Sequence, residues 1–369
     1  MMPRRTLIKS LSLLAGMGCL AGPLRFVSAA DSDWYMPEED LPQRQLFVAF
    51  AASEAIWEDQ AAAVNQCIAQ LARTVAKYQP VTVLCRANDL EQAKRQCGTH
   101  NTSFLVVPLD DIWVRDYGGC FVIDDEGNSA LVDFNFNGWG AKQRHSRDRE
   151  VAKALSKATG LPLLRSELTG EGGGIEVDGH GTAIITESCW VNDNRNRQWS
   201  RSEVEAELKD NLGLRKIIWL PGIKNRDITD AHVDFYARFV APGVVIANLD
   251  NDPDSYDYKV TRKHLEILKQ ATDADGRRLT VHLLPPPSKL RSNRFTRDND
   301  EFAAGYINYL VVNGAIIAPE FGDPEADAYC KELLGKLYPG RTIEQLNIDP
   351  IAAGGGGIHC VSKNMPSSQ

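Results

Sequence analysis

Several features that would point to common chemistries are missing from this chain. There is no CxxC pair, no HExxH or HxxxH spacing, and the seven histidines are scattered singly. Neither a structural zinc site nor a metal-hydrolase centre is therefore legible. A "HVD" triplet at 232–234 offers two ligands and nothing obvious supplies the rest. There is no basic excess: 41 Lys and Arg against 49 Asp and Glu leave a net charge of -8. A nucleic-acid surface would need a basic face, so that class of partner is excluded. The acidic balance suits a soluble protein and is compatible with cationic substrates. No Pro/Ser-rich linker divides the 369 residues, and 43% of them are hydrophobic, ample for a packed core.

The apolar run near the N-terminus falls short of the ~20 residues a membrane span needs. "MMPRRTLIKSLSLLAGMGCLAGPLRFVSAA" has a charged start, a Gly-containing apolar stretch and a small-residue end at Val27-Ser28-Ala29-Ala30. Residues 1–30 read as an export signal, and Arg4-Arg5 followed by Leu7, Ile8 and Lys9 resembles the twin-arginine class, which exports folded proteins. An uncleaved anchor is the alternative, with no stable membrane insertion expected once the signal is removed. Cys19 follows Gly18, but Gly16 is a poor start for a lipoprotein box. The mature protein is expected to be periplasmic or secreted.

Without Cys19, seven cysteines remain: Cys67, Cys85, Cys97, Cys120, Cys189, Cys330 and Cys360. An odd number leaves at least one free thiol in an oxidising compartment, and the spacing reveals no pairing. Cys67 and Cys330 lie in helix-like contexts, Cys85 and Cys120 in strand-like ones. Buried apolar cysteine is the expectation for each.

After an irregular leader at 31–45, short β runs alternate with helical patterns. "QLFVAFA" and "VTVLCRA" bracket a helical stretch at 62–77. "GCFVIDD" and "ALVDFNF" read as a hairpin around Glu126-Gly127-Asn128. Further helices are expected near 148–159, 201–212, 259–272 and 324–338. Residues 31–369 therefore read as a single compact α/β domain of repeated β-rich units. One internal echo supports repetition: "GGGIEVDG" at 172–179 resembles "GGGGIHCV" at 354–361. Both are taken as glycine-rich strand entrances, each allowing a close backbone approach to one centre.

Acid, histidine and cysteine concentrate in four segments: "DDIWVRD" (110–116), "EGGGIEVDG" (171–179), "TDAHVDF" (229–235) and "GGGGIHC" (354–360). On a strand, His232 and Asp234 would share a face. A carboxylate beside the ring would favour imidazolium, useful for a general acid. Cys360 as nucleophile needs a lowered pKa, which a cationic substrate or nearby peptide N–H groups would supply. His359, adjacent on a strand, would point away from Cys360 and is not the obvious base. Asp116, Glu171 and Asp234 together would suit a planar cation with several N–H donors. Trp113 and Trp139 offer a flat wall. A Cys-His-Asp protease is conceivable but leaves the extra carboxylates unexplained.

With Trp113-Val-Arg-Asp116, Glu171-Gly-Gly, His232-Val-Asp234 and Gly355-Gly-Gly-Ile-His-Cys360 in place, most of 45–366 resembles a known family. It is the agmatine deiminase and Porphyromonas-type peptidylarginine deiminase group of guanidine-modifying hydrolases. "FNFNGWG" (134–140), "NDNRN" (192–196), "ARFVAPG" (237–243), "YINYLVVNGAIIAPEFGDP" (306–324) and Met365-Pro366 also fit. The resemblance implies a pentein-type α/β propeller, five ββαβ-like units around a central site. It implies that Cys360 attacks the guanidinium carbon and that Asp116 and Asp234 hold the nitrogens. His232 would serve as acid and then base, with Glu171 orienting it. No metal or organic cofactor is implied.

The chain departs from the agmatine pattern at three places. Gly357 replaces an asparagine, Ala231 a glycine, and Ile228 an acid suited to an amine tail, with Asp227 beside it. Agmatine is the first expectation for substrate, and free or peptidyl arginine the second. A non-catalytic guanidine-binding protein is the reading from another class. Gly357 and Asp227 are expected at the substrate, Asp227 at an amine tail, with Arg144 or Arg147 the residues a carboxylate tail would need.

Overall fold

The computed structural model describes residues 34–367. Strands β1 (Gln43–Phe50), β2 (Val81–Cys85) and β3 (Thr102–Val106) run parallel in one sheet. Four further sheets have three strands each. They comprise β4 (Cys120–Ile123), β5 (Ser129–Asp133) and β6 (Leu163–Arg165), then β7 (Glu176–Val177), β8 (Thr182–Thr186) and β9 (Lys216–Leu220). The last two hold β10 (Ala237–Ala241), β11 (Val244–Ala247) and β12 (Thr280–Leu283), then β13 (Leu310–Val312), β14 (Ala315–Glu320) and β15 (Thr342–Asn347). The final strand β16 (Ser362–Pro366) pairs antiparallel with β1 and completes the first sheet.

Every sheet obeys one rule. Its first strand is antiparallel to the second, a helix follows, and the third strand returns parallel to the second. The unit is ββαβ and recurs five times, with β16 serving as the first strand of the sheet that β1 opens. The expected α/β propeller is what forms.

Local chemistry explains the pieces. Parallel strands need both faces covered, and β2 and β8 are accordingly buried throughout. The hairpin at 126–128 forms as expected, closed by Asp124, whose side chain accepts from the Glu126 and Asn128 amides. Helix Arg201–Leu212 begins with a Ser200/Glu203 capping box and ends at left-handed Gly213. Helix Pro324–Leu337 has Asp323 as cap and proline in its first turn. Strands β6 and β15 were not expected, one being three residues long and the other, "TIEQLN", largely polar, whereas β7 and β16 follow the two expected glycine-rich entrances.

Of the irregular leader expected at 31–45, the described residues 34–42 precede the strands and β1 begins at Gln43. Trp34 is buried, and Tyr35 bridges to Ile123. The export signal at 1–30 lies outside the described residues. Among the described residues no helix is long and apolar enough to cross a membrane. All seven cysteines there are buried and unpaired.

Candidate active site

Each blade's first strand is preceded by a short irregular turn, and these five turns meet at the propeller axis. Asp116 lies before β4, Glu171 before β7, His232 and Asp234 before β10, Asn308 before β13 and Cys360 before β16. The fold thus brings together residues up to 244 positions apart, as the Arg115–His359 hydrogen bond illustrates.

Two local expectations change. The segment 232–235 is not a strand: Val233–Phe235 forms a 3-10 turn, and β10 starts only at Ala237. His232 and Asp234 converge through that turn, with Asp230 and Ala231 left-handed (φ 62° and 71°) just before it. The segment 358–361 is likewise a turn rather than a strand, so His359 does not point away. Its Nδ1 lies 2.8 Å from Asp234 Oδ2, the atom that is also 3.6 Å from Cys360 Sγ.

The glycine run at 354–357 has a different reason from the one expected. Gly172–Gly174 is a 3-10 turn, and Gly354 and Gly355 also belong to a turn. A Cβ on Gly354 would meet the Trp57 ring at 2.2 Å, and one on Gly356 the Trp113 ring at 2.2 Å. A Cβ on Gly357 would meet Asn308 at 2.4 Å. The glycines accept aromatic rings and Asn308 rather than leaving room for the substrate itself. Only Gly355 of this run has a positive φ. The two runs do share a place in the fold, since each leads into the first strand of a blade.

Gly173 defines the reacting cavity. A Cβ there would lie 2.6 Å from His232 Nδ1, 2.8 Å from Asp116 Oδ1 and 3.2 Å from Asp234 Oδ2. Because Gly173 has no Cβ, an imidazole and two carboxylates can close in on its backbone from three sides. His232 Nδ1 and Asp234 Oδ1 are buried and have no hydrogen-bond partner, a cost that a ligand with N–H donors and a charge would remove.

The wall is electrostatically tuned. Burial raises the Asp116 carboxyl to about 6, opposed by His232 and by the Trp139 indole. Trp139 Nε1 donates to Asp116 Oδ2 at 2.9 Å, and Gly173 N–H donates to Oδ1 at 3.0 Å. Trp139 is thus a hydrogen-bond donor as well as a wall. It is held left-handed (φ 56°) between Gly138 and Gly140, a strain of the kind kept at functional sites. Burial works against ionisation of Glu171 too, but Arg195 and His232 hold its pKa near 2. Glu171 Oε2 faces His232 Nε2 at 3.2 Å, and Oε1 accepts from Arg195 Nε at 2.9 Å. Burial would lower His232; Asp116 and Glu171, with the Cys189 thiol, instead raise it well above its ordinary value. These carboxylates drive the ring toward imidazolium, with Nδ1 on the side of Asp116. Burial pushes the Cys360 thiol far up, as do Asp234 and Asp116, while the Gly357 backbone and Asn308 pull it down. Asp234 stays ionised despite burial because His359 donates to it.

Of the expected site residues, Cys360, His232, Glu171, Asp116 and Asp234 come together. Trp113 packs on Gly356, its indole N–H on Asp111 Oδ2 at 3.0 Å. Gly357 lies beside the thiol and Asn308. Asp227 is used by its own loop: its oxygens accept from Thr229 and Ala231 N–H groups. Arg144 and Arg147 are exposed and lie 3.1 Å and 4.0 Å from Asp110.

Four residues were missed. Asn308 Nδ2 donates to Cys360 Sγ at 3.3 Å while its Oδ1 accepts from His359 N–H at 3.0 Å. Arg195 ties Glu171 to Asp230. His359 braces Asp234, and Cys189 lies 3.5 Å from Glu171 Oε2. Asn308 and Arg195 stand inside stretches quoted above, "YINYLVVNG" and "NDNRN", which was the available signal. Glu171, Cys189 and His232 are the one group among the described residues whose ligand atoms lie within 4.8 Å of one another. Glu171 is committed there to Arg195 and His232, so the group reads as a hydrogen-bonded positioning set.

A buried thiol, a histidine and three carboxylates converging on one point define a site for covalent chemistry on a compact cation. Residues 35–366 match the Porphyromonas-type peptidyl-arginine deiminase family model, and the chain belongs to that family. It is 36% identical to an agmatine deiminase of Stutzerimonas stutzeri, over 90% of this chain and 96% of that one. It is 34% identical to one of Pseudomonas aeruginosa, over 90% and 95%. Among solved structures, the agmatine deiminase of Enterococcus faecalis superposes with a TM-score of 0.86 at 30% identity, covering 91% of this chain and 97% of that chain.

Proposed function

We propose that this protein hydrolyses agmatine to N-carbamoylputrescine and ammonia through a covalent intermediate on Cys360. The carrying observation is the set of unpartnered atoms around the Gly173 cavity, His232 Nδ1 and Asp234 Oδ1, with Cys360 Sγ 3.6 Å from Asp234.

The steps follow from the charges. A guanidinium entering the cavity pairs with Asp116 and Asp234, and its charge lowers the cost of ionising Cys360. The Cys360 proton leaves to solvent, to end on the released ammonia, and the thiolate adds to the guanidinium carbon. His232, an imidazolium, gives its proton to one terminal nitrogen, and the C–N bond breaks as ammonia leaves. The now neutral His232 takes a proton from water, whose oxygen adds to the S-alkylthiouronium carbon. The C–S bond breaks, and the ureido product leaves with Cys360 restored. Glu171, fixed by Arg195, keeps Nδ1 of the ring toward the cavity.

The pairing of Arg144 and Arg147 with Asp110 favours agmatine over arginine, because a carboxylate tail would need one of them. Deimination of peptidyl arginine is the second reading, favoured by the name of the family model. Export through the twin-arginine route belongs to the same proposal, resting on the residue pattern at 1–30. Ammonia and ureido product measured over agmatine, arginine and arginyl peptides test it. Dominant turnover of an arginyl peptide would replace the first substrate, and turnover of none would return the binding-protein reading.

A further inference from the structure

Residues 34–42 touch every blade of the propeller. Tyr35 exchanges backbone hydrogen bonds with Ile123, at the end of β4. Met36 N–H donates to Leu212 O, at the end of the helix between β8 and β9. Arg341, just before β15, pairs with Asp40. From the middle of this arm Glu39 reaches the axis, its side chain only 18% exposed.

The Glu39 carboxylate meets two guanidinium groups and an imidazole nitrogen. Oε1 lies 2.7 Å from His359 Nε2 and 2.9 Å from Arg115 Nη1, and Oε2 lies 2.9 Å from Arg238 Nη2. Arg115 precedes β4, Arg238 is on β10 and His359 precedes β16. Three blades are thus pinned by one side chain from outside all of them. Burial alone would raise this carboxyl; His359, Arg115 and Arg238 hold it well below the usual carboxylate range.

His359 carries the connection onward. Its Nε2 faces Glu39 and its Nδ1 faces Asp234 Oδ2 at 2.8 Å, leaving Asp234 Oδ1 free toward the cavity. The ring cannot rotate without breaking one of the two contacts. Its backbone is held as well, by Asn308 Oδ1 on N–H and by Arg115 Nε on C=O. Burial, Arg115 and Arg238 push the ring toward its neutral form, and Glu39 and Asp234 oppose them. Lys363 on β16 is the remaining nearby cation, itself in contact with Cys120 Sγ at 3.7 Å. A one-proton ring satisfies one carboxylate, so Glu39 governs how fully His359 donates to Asp234.

We propose that Glu39 is a positioning residue for the guanidine reaction, acting through His359 to fix Asp234 beside Cys360. The arm is then part of the active machinery rather than a leader to the first strand. The inference rests on the deimination reading above, so its test includes one readout that needs no turnover.

Glu39→Gln keeps the volume and removes the charge. In the full chain, well below its melting temperature, kcat/KM for agmatine is expected to fall at least ~10-fold with an unchanged far-ultraviolet spectrum. In a His359→Gln background the same change should cost less than about twofold, because the partner is gone. Independently of turnover, iodoacetamide alkylation of Cys360, followed by peptide mass spectrometry, should shift to higher pH in Glu39→Gln. A role confined to stability would lower the melting temperature and leave that profile in place. Should Glu39→Gln not fold, Glu39→Asp keeps a negative charge near Arg115 and Arg238 while shortening the reach to His359. The same shift in alkylation is expected there. Losses that multiply in the double variant, or an unmoved alkylation profile in the folded variants, overturn the proposal. Failure of the wild type to turn over agmatine with the alkylation shift intact would count against the substrate and leave Glu39 in place.

Discussion

Burial and the carboxylates of Asp234 and Asp116 keep the Cys360 thiol protonated at neutral pH until a cation arrives. Asp116 and Asp234 therefore act on both binding and ionisation. Asp234→Asn is expected to cost about 2–5 kcal/mol in transition-state stabilisation, roughly thirtyfold or more in kcat/KM. Wild-type kinetics in steady-state assays of that variant would remove the clamp assignment. Asp116 gives a pH signature with a definite sign. Its folded carboxyl is raised to about 6 from 3.8. In the unliganded protein its ionisation thus weakens the fold as pH rises from the unfolded value through about 6. A bound guanidinium offsets that cost. Agmatine should raise the melting temperature of Cys360→Ser more at about pH 7.5 than at about pH 5. Equal shifts at both would place Asp116 outside the binding step. The acid, nucleophile and clamp were legible as residue types in short motifs. Asn308 was not, since a lone asparagine before an apolar strand carries no sign that its amide faces a thiol 52 positions away.

The turns before the first strands set the site, and the strands behind them set the turns. The turn at 354–357 illustrates this. Gly356 is required because the Trp113 ring occupies the place of its Cβ, so Gly356→Ala forces the ring or the turn to move. A cost of about 1–3 kcal/mol is expected, read as a melting temperature several degrees lower. A large fall in activity should accompany it, since Cys360 hangs on the same turn. An unchanged melting curve would show that the ring yields freely. Helices and apolar strands were readable because their periodicity is local. Two-residue β7 and polar β15 were not readable that way, because one is too short to show a period and the other lacks an apolar face. For the same reason His232 and His359 were assigned to strands: their sequence neighbours are β-prone, and convergence on the axis makes those segments turn.

At the scale of the molecule, β16 closes the ring by pairing with β1, and Cys360 lies two residues before that strand. A nucleophile in this position is set only when the ring is complete, which fits the export of folded protein proposed above. Arg4→Lys/Arg5→Lys is expected to retain active protein in the cytoplasm with its N-terminus uncut. Fractionation showing undiminished export would assign another route. The fivefold repeat itself showed in the sequence only as small groups of strands with one helix each, plus one glycine echo. Blades this short share the rule of connection and almost no side chains, so the count of five emerges only from the pairing.

The central claim is that a guanidine carbon becomes bonded to Cys360. Intact-protein mass spectrometry on wild type acid-quenched during agmatine turnover tests it directly. The account predicts a transient species heavier by agmatine less one ammonia, mapping to the peptide that holds Cys360 and missing in Cys360→Ser. Turnover with no adduct in the wild type, or ammonia release at the wild-type rate by folded Cys360→Ser, would contradict it.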